Sequence, residues 1–361
     1  MTTSPPTLRY NRRMATLRLH TLFRFATPML ASALLALAAC GDSGPENALA
    51  DYAERLARPL DREVSASEPA ALPRPPRVGK LQLALEDDSL GTLDFLSLTG
   101  CEVQVTIGKR NSSLGRMAAP SQRLLLDLEY LRLAPACIRH LRGSDRDELA
   151  NTLEAAHALK QRQLPARIFN ATLGSEEYRE LWRVPNRLGD YPAQTGSAVT
   201  TALEAINDST RRWLAGDFRA NGKAFELQLS EVARGDGGAL LKALGLQARW
   251  LGAANALLRQ DEGPLCAGPI RHRAADILPN VVGRHFAEGI QAWSADLARR
   301  EQALLPPLRE LEKTLGTVLP EDYRAWRESR DRHLTRWSSA PRRHVEVIQT
   351  LLEPCGVLPR A

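Results

Sequence analysis

The chain has 361 residues, 43% of them hydrophobic and 25% charged, with a formal net charge of +6. That length supports a core of ordinary size, as one domain or two packed halves. The positive charge is concentrated in residues 1–39, which hold Arg9, Arg12, Arg13, Arg18 and Arg24 and no acid, so the other 322 residues carry only +1, which excludes the basic footprint of a nucleic-acid-binding protein.

Residues 29–40 are an apolar run ending in Leu37-Ala38-Ala39-Cys40. The run follows arginines and places small side chains before a cysteine, the form of a bacterial lipobox. At twelve residues it is shorter than the roughly 20 a membrane-spanning helix needs. Residues 1–39 are therefore read as a lipoprotein signal peptide, with Met14 as an alternative start that gives it a more usual size. Cys40 is the expected lipidation site and the new N-terminus, attaching the protein to a lipid bilayer through its acyl chains. Gly41, not aspartate, follows the cysteine. That points to the outer membrane rather than the inner, with the body facing the periplasm.

Residues 40–80 are read as the anchor, a short helix and a tether. Leu49, Tyr52, Ala53, Leu56 and Leu60 share helical spacing within Glu46–Leu60. Residues 61–79 contain Pro69, Pro73, Pro75 and Pro76 and have little to bury, which suits a spacer or a strand of chain lying on the body. Residues 81–361 follow the 3.6-residue period almost throughout, predicting an all-α, irregular bundle of roughly ten helices. Val199, Ala202, Leu203, Ile206, Thr210 and Trp213 form one stripe, and Leu240, Leu244, Leu251, Ala254 and Leu258 another. The longest runs from Leu278 through Val282, His285, Phe286, Ile290 and Trp293 to Leu297. Further helices are predicted over 92–109, 121–134, 145–163, 175–183, 219–233, 306–315 and 321–352, the last breaking near Pro341. Ser144-Asp145 and Ser175 read as N-caps. Val103–Ile107 alternates and is β-branched, a strand signal, but no partner strand is evident, so a helix is preferred there.

Four cysteines remain after Cys40: Cys101, Cys137, Cys266 and Cys355. An even number in an oxidising compartment points to disulfides, with three pairings open. Cys101–Cys137 and Cys266–Cys355 are preferred because each closes within one half of the chain. No cysteine pair shows CxxC spacing and no histidine stands at ligand spacing from one, so no metal is expected.

Several strings occur together in a characteristic order. They are Gly91–Cys101 (GTLDFLSLTGC), Arg110–Arg116 (RNSSLGR), Pro120–Leu124 (PSQRL), Leu131–Cys137 (LRLAPAC), Phe169–Gly174 (FNATLG) and Ala253–Leu257 (AANAL). Through them the chain resembles the gammaproteobacterial lipoproteins grouped as domain of unknown function 3080, over about residue 46 to the C-terminus. The resemblance implies an envelope lipoprotein and brings no activity, cofactor or catalytic residue.

No GxSxG, HExxH, P-loop or dinucleotide motif occurs, so no catalytic residue or cofactor is assigned. The candidate ligand-binding residues are Arg110, Asn111, Ser112, Ser113 and Arg116, with Asn170. Two arginines flanking short polar side chains beside a glycine can present guanidinium and backbone N–H groups to an anion. The simpler reading, and the preferred one, is that Asn111, Ser112 and Ser113 cap helices and Gly115 permits the turn. His285 reads as a hydrogen-bonded core histidine. His333 and His344, among Arg330, Arg332, Arg336, Arg342 and Arg343, form a basic cluster suited to lipid phosphates or to plain solvation. The six tryptophans can line a groove, although Trp213 and Trp293 fall on core stripes. The leading expectation is a non-enzymatic adaptor or accessory factor with an unidentified envelope protein partner. The alternatives are a carrier of lipid or another hydrophobic ligand, and a periplasmic hydrolase working near Arg110–Arg116.

Overall fold

The computed structural model describes residues 44–86, 95–259, 265–266 and 272–356. The signal-peptide, start-site and Cys40 assignments lie outside them. Leu49, Tyr52 and Leu56 form the buried stripe of α1, Pro45–Ala57, and a 3-10 turn carries the stripe on to Leu60. Pro45 opens the helix, where its missing N–H has no partner to lose. Residues 61–77 do not behave as a spacer. Arg249 Nε donates to Ser67 O at 2.7 Å, Leu72 packs on the main core, and the single turn Val78–Leu81 buries Leu81. Gly44 onward thus folds as one unit.

All regular elements among the described residues are helical. After α1 come α2 (Val103–Asn111), α3 (Ser113–Met117), α4 (Pro120–Arg142), α5 (Asp147–Ala171) and α6 (Glu176–Leu181). Then follow α7 (Ala198–Leu214), α8 (Gly222–Ala233) and α9 (Gly237–Arg259). The remainder are α10 (Ala274–Val281), α11 (Gln291–Thr314), α12 (Glu321–Ser338) and α13 (Ala340–Leu352). Val103–Ile107 is helical despite its branched side chains. Ser175 caps α6 as expected, but α5 begins at Asp147, two residues beyond the Ser144-Asp145 signal. The break near Pro341 is present, since Ser339 separates α12 from α13 and Pro341 lies in the first turn of α13.

The main departures from expectation occur at prolines. Helix α4 runs through Pro135, α5 through Pro165, and α11 through Pro306 and Pro307. An internal proline costs roughly 3 kcal/mol, yet each helix has a long buried face that outweighs it. Between α10 and α11 the backbone adopts π geometry over Val282–Ile290. The wider turn sends Val282, Phe286 and Ile290 inward and leaves His285 half-buried at the flank, 3.8 Å from Asp51. His285 is therefore not the core histidine the 3.6-residue period suggests.

Three apolar clusters hold the helices together. The largest joins α4–α9, α11 and α12. A second gathers α1, the C-terminal half of α9, α10, the π segment and α13. Helix α9 spans both, giving Leu240, Leu241 and Leu244 to one and Leu251, Ala254 and Leu258 to the other. The third packs α2 against α4 and α5 around Cys101–Cys137. The disulfides are Cys101–Cys137 and Cys266–Cys355, with Cα separations of 5.3 and 5.1 Å.

Candidate functional site

Helix α4 buries Leu124, Leu128 and Leu131, and among them Asp127, 1% exposed. A carboxylate in that position is costly unless cations satisfy it. Three cations converge on it. Lys160 Nζ donates to Asp127 Oδ1 at 2.8 Å, a terminal nitrogen of Arg167 donates to Oδ2, and Arg110 Nε stands 3.9 Å from Oδ1. Lys160 and Arg167, each with a side chain 4% exposed, belong to one stripe of α5. Lys160, Gln163, Arg167 and Asn170 follow the three-four-three spacing of a single helix face. Lys160 also lies 5.2 Å from the Tyr130 ring, and Arg167 donates to Gln163 Oε1 at 2.7 Å. Asn170 makes a reciprocal pair with the backbone of Leu83, 2.8 and 2.9 Å, clamping the segment after Val78–Leu81 onto α5.

Arg110 reaches this cluster from the last turn of α2, whose end is fixed by a tight junction. Ser112 Oγ accepts from Gly115 N at 3.0 Å and donates to Lys109 O at 2.8 Å, so it caps α3. Gly115 presses on the last carbonyls of α2; a Cβ there would stand 2.1 Å from Lys109 O. Only glycine permits that approach.

Two cavities of about 20 Å³ flank Asp127, each with room for one water-sized group. One is bordered by Thr106, Arg110, Asn111, Asp127, Tyr130 and Lys160. The other is bordered by Arg110, Pro120, Arg123, Asp127, Arg167 and Asn170. The Nε atoms of Arg110 and Arg167 are buried and have no hydrogen-bond partner among the described residues. Of the residues singled out in the sequence, Arg110, Asn111 and Asn170 therefore come together at these cavities. Ser112, Ser113 and Arg116 face solvent and line neither. Asp127, Lys160 and Arg167 escaped the sequence reading. Their traces are a lone acid within an apolar stripe and a polar stripe at helical spacing on α5.

A second polar centre lies in the main core. Glu312 of α11 and Arg330 of α12, 2% and 0% exposed, pair through two bonds of 2.7 and 2.9 Å. The Tyr178 and Tyr323 hydroxyls donate to Glu312 Oε1 at 3.1 and 2.7 Å. Burial alone would raise the Glu312 carboxyl, but Arg330 and the two hydroxyls outweigh it and hold the pKa below its ordinary value. Burial pushes both tyrosines up, reinforced by the nearby Glu312 charge. The Arg330 guanidinium lies 5.1 and 5.0 Å from the rings of Trp182 and Trp326, a cation–π enclosure.

The C-terminal basic cluster is thus not one surface. Arg330 and His344 are each 0% exposed. His344 bonds the Tyr52 hydroxyl at 2.7 Å and Asn255 Oδ1 at 2.6 Å, and burial pulls its pKa down to about 3. Arg332 and Arg336 instead line an open groove of about 1050 Å³ with Arg309, Lys313 and Arg327, and Arg342 and Arg343 are exposed. Trp182, Trp213, Trp326 and Trp337 are core residues rather than the lining of a groove. Among the described residues, no group of histidine, cysteine and acidic side chains could hold a metal, and no helix is long and apolar enough to cross a membrane. A family model described as a protein of unknown function matches residues 49–359. No curated protein and no solved structure matches the chain.

Proposed function

The chain belongs to the DUF3080 family, and from that premise we propose that it is a lipid-anchored envelope protein acting as a non-enzymatic adaptor. The observation that carries the anchor is the lipobox Leu37-Ala38-Ala39-Cys40. Cysteine usage supports it: the two disulfides take four of the five cysteines, and Cys40 is the fifth. Disulfides also suit an oxidising compartment. Lacking aspartate after Cys40, the protein resides in the outer membrane, facing the periplasm.

An adaptor role is supported by the surface of α3. Leu114 and Met117 are 85% and 87% exposed and lie three residues apart on that short helix, hence on one side. Two unshielded apolar side chains on a rigid junction suit contact with a protein partner. Ser112 and Ser113 beside them are exposed and border neither cavity at Asp127, which favours binding over hydrolysis.

The test is palmitate labelling of cells expressing the wild-type chain or Cys40→Ser. The wild type should be labelled and shortened, and the variant should remain as unlabelled precursor. Normal labelling of the variant would remove the anchor from this reading. A photo-crosslinker placed at Leu114 should then give a discrete adduct that the same group at Leu227, 61% exposed on α8, does not.

A further inference from the structure

We propose that the cavity bordered by Arg110, Arg123, Arg167 and Asn170 is an oxyanion site that takes a terminal oxygen of a phosphate or phosphate monoester. Three guanidinium groups face one carboxylate, Asp127, across this space, and Lys160 bonds the same carboxylate at Oδ1, leaving an excess of positive charge for a dianionic phosphoryl group. Two of these arginines have buried Nε–H donors without an acceptor among the described residues. In Arg167 that donor belongs to a side chain 4% exposed, which is a costly omission unless something outside the described residues accepts from it. Arg123 is half-buried, and its side chain has no ion pair or hydrogen bond among the described residues, although it borders the same space. Pro120, the first residue of α4, also borders it. The positive end of a 23-residue helix therefore adds to the field.

The size of the cavity sets how the ligand sits. At about 20 Å³ it accepts one oxygen-sized group inside. The rest of the ligand lies outward between Arg110 and Arg123, whose long side chains can close on it bidentately. Arg167 is held on Asp127 and Gln163 and forms the fixed floor. Arg110 and Arg123 are the adjustable walls.

The experiment is calorimetric titration of the full chain, purified in detergent, with inorganic phosphate at constant ionic strength set by sodium chloride. Saturable binding is expected, and Arg123→Gln should weaken it about tenfold or more, the worth of one charged hydrogen-bonding contact. Arg110→Gln should weaken it similarly. Arg116→Gln, on the same junction but outside the cavity, should leave binding unchanged. Thermal unfolding of each variant without phosphate establishes that it is folded. Absence of saturable binding to the wild type overturns the site, and so does an equal loss in Arg116→Gln, which would mark general charge attraction. Titration with glycerol 3-phosphate identifies the source of the phosphoryl group: tighter binding than phosphate indicates an ester, as in a lipid headgroup, and weaker binding indicates the free ion. Either order supports the site.

Discussion

Acidification should destabilise this protein through His344, whose protonation the fold opposes. The imidazole is 0% exposed, wedged between the Tyr52 hydroxyl and Asn255, with the Phe286 ring centroid 4.9 Å away. Nothing in that setting welcomes a positive charge, so burial holds the native pKa down to about 3 from 6.5. The unfolded chain binds the proton below about 6.5, whereas the native chain does so only near 3. The contribution is therefore fully present above the unfolded value and is lost as pH falls between the two. Each pH unit in that window costs about 1.4 kcal/mol. Going from pH 6.5 to 4.5 thus costs about 2–3 kcal/mol, a large part of the about 5–15 kcal/mol a domain has. Urea unfolding of the wild type and His344→Gln at pH 7.5 and 4.5 measures it. Glutamine keeps a polar group at the site and cannot titrate. The variant should start about 1–3 kcal/mol less stable at pH 7.5, from imperfect bonding to Tyr52 and Asn255. It should then lose about 2–3 kcal/mol less than the wild type on acidification. Equal losses in the two proteins would refute the reasoning, because the carboxylates they share would then account for the whole effect.

Glu312→Gln leaves the Arg330 guanidinium buried between two indoles with Asp331 as its one remaining charged partner among the described residues. A loss of about 3–5 kcal/mol is expected in thermal or urea unfolding, and less than about 1 kcal/mol would mean that the pair contributes little. Replacing Cys266 and Cys355 together by alanine releases a separation of 89 residues, against 36 for Cys101 and Cys137. The chain-entropy account gives about 4–5 and about 4 kcal/mol respectively, and urea unfolding showing the opposite order would count against it. Gly115→Ala drives a methyl group into the end of α2 and should cost about 2–4 kcal/mol, with faster proteolysis at the α2–α3 junction. Unchanged cleavage and stability would mean that the junction relaxes freely.

The helical architecture was legible because leucine and alanine recur on nearly every helix with the right period, and cysteine placement in the two halves indicated the disulfide pairing. The prolines misled at the helix ends. Pro135, Pro165, Pro306 and Pro307 look like stops in a local window, but the buried faces of helices 23 to 25 residues long outweigh a roughly 3 kcal/mol penalty. The two histidines exchanged roles for a similar reason. His285 fits a 3.6-residue stripe that the π turn re-registers, while His344 sits in a stretch so rich in arginine that its inward face is hidden. Asp127 was the hardest to foresee. Its partners come from 33 and 40 positions later and from the end of the helix before it, so no window of neighbouring residues contains the cluster. Arg110 and Asn170 were singled out for local reasons, and the fold brings them to one cavity.

Because residues 61–77 are fastened to the body, they cannot pay out as extra line. With acyl chains on Cys40, only Gly41, Asp42 and Ser43 precede Gly44, a reach of at most about 14 Å. The start of the first helix would then stay within that reach of the headgroups, and slack in the chain could not carry the body away from its leaflet. Whatever an anchored molecule engages would have to come to that surface or already be embedded in it.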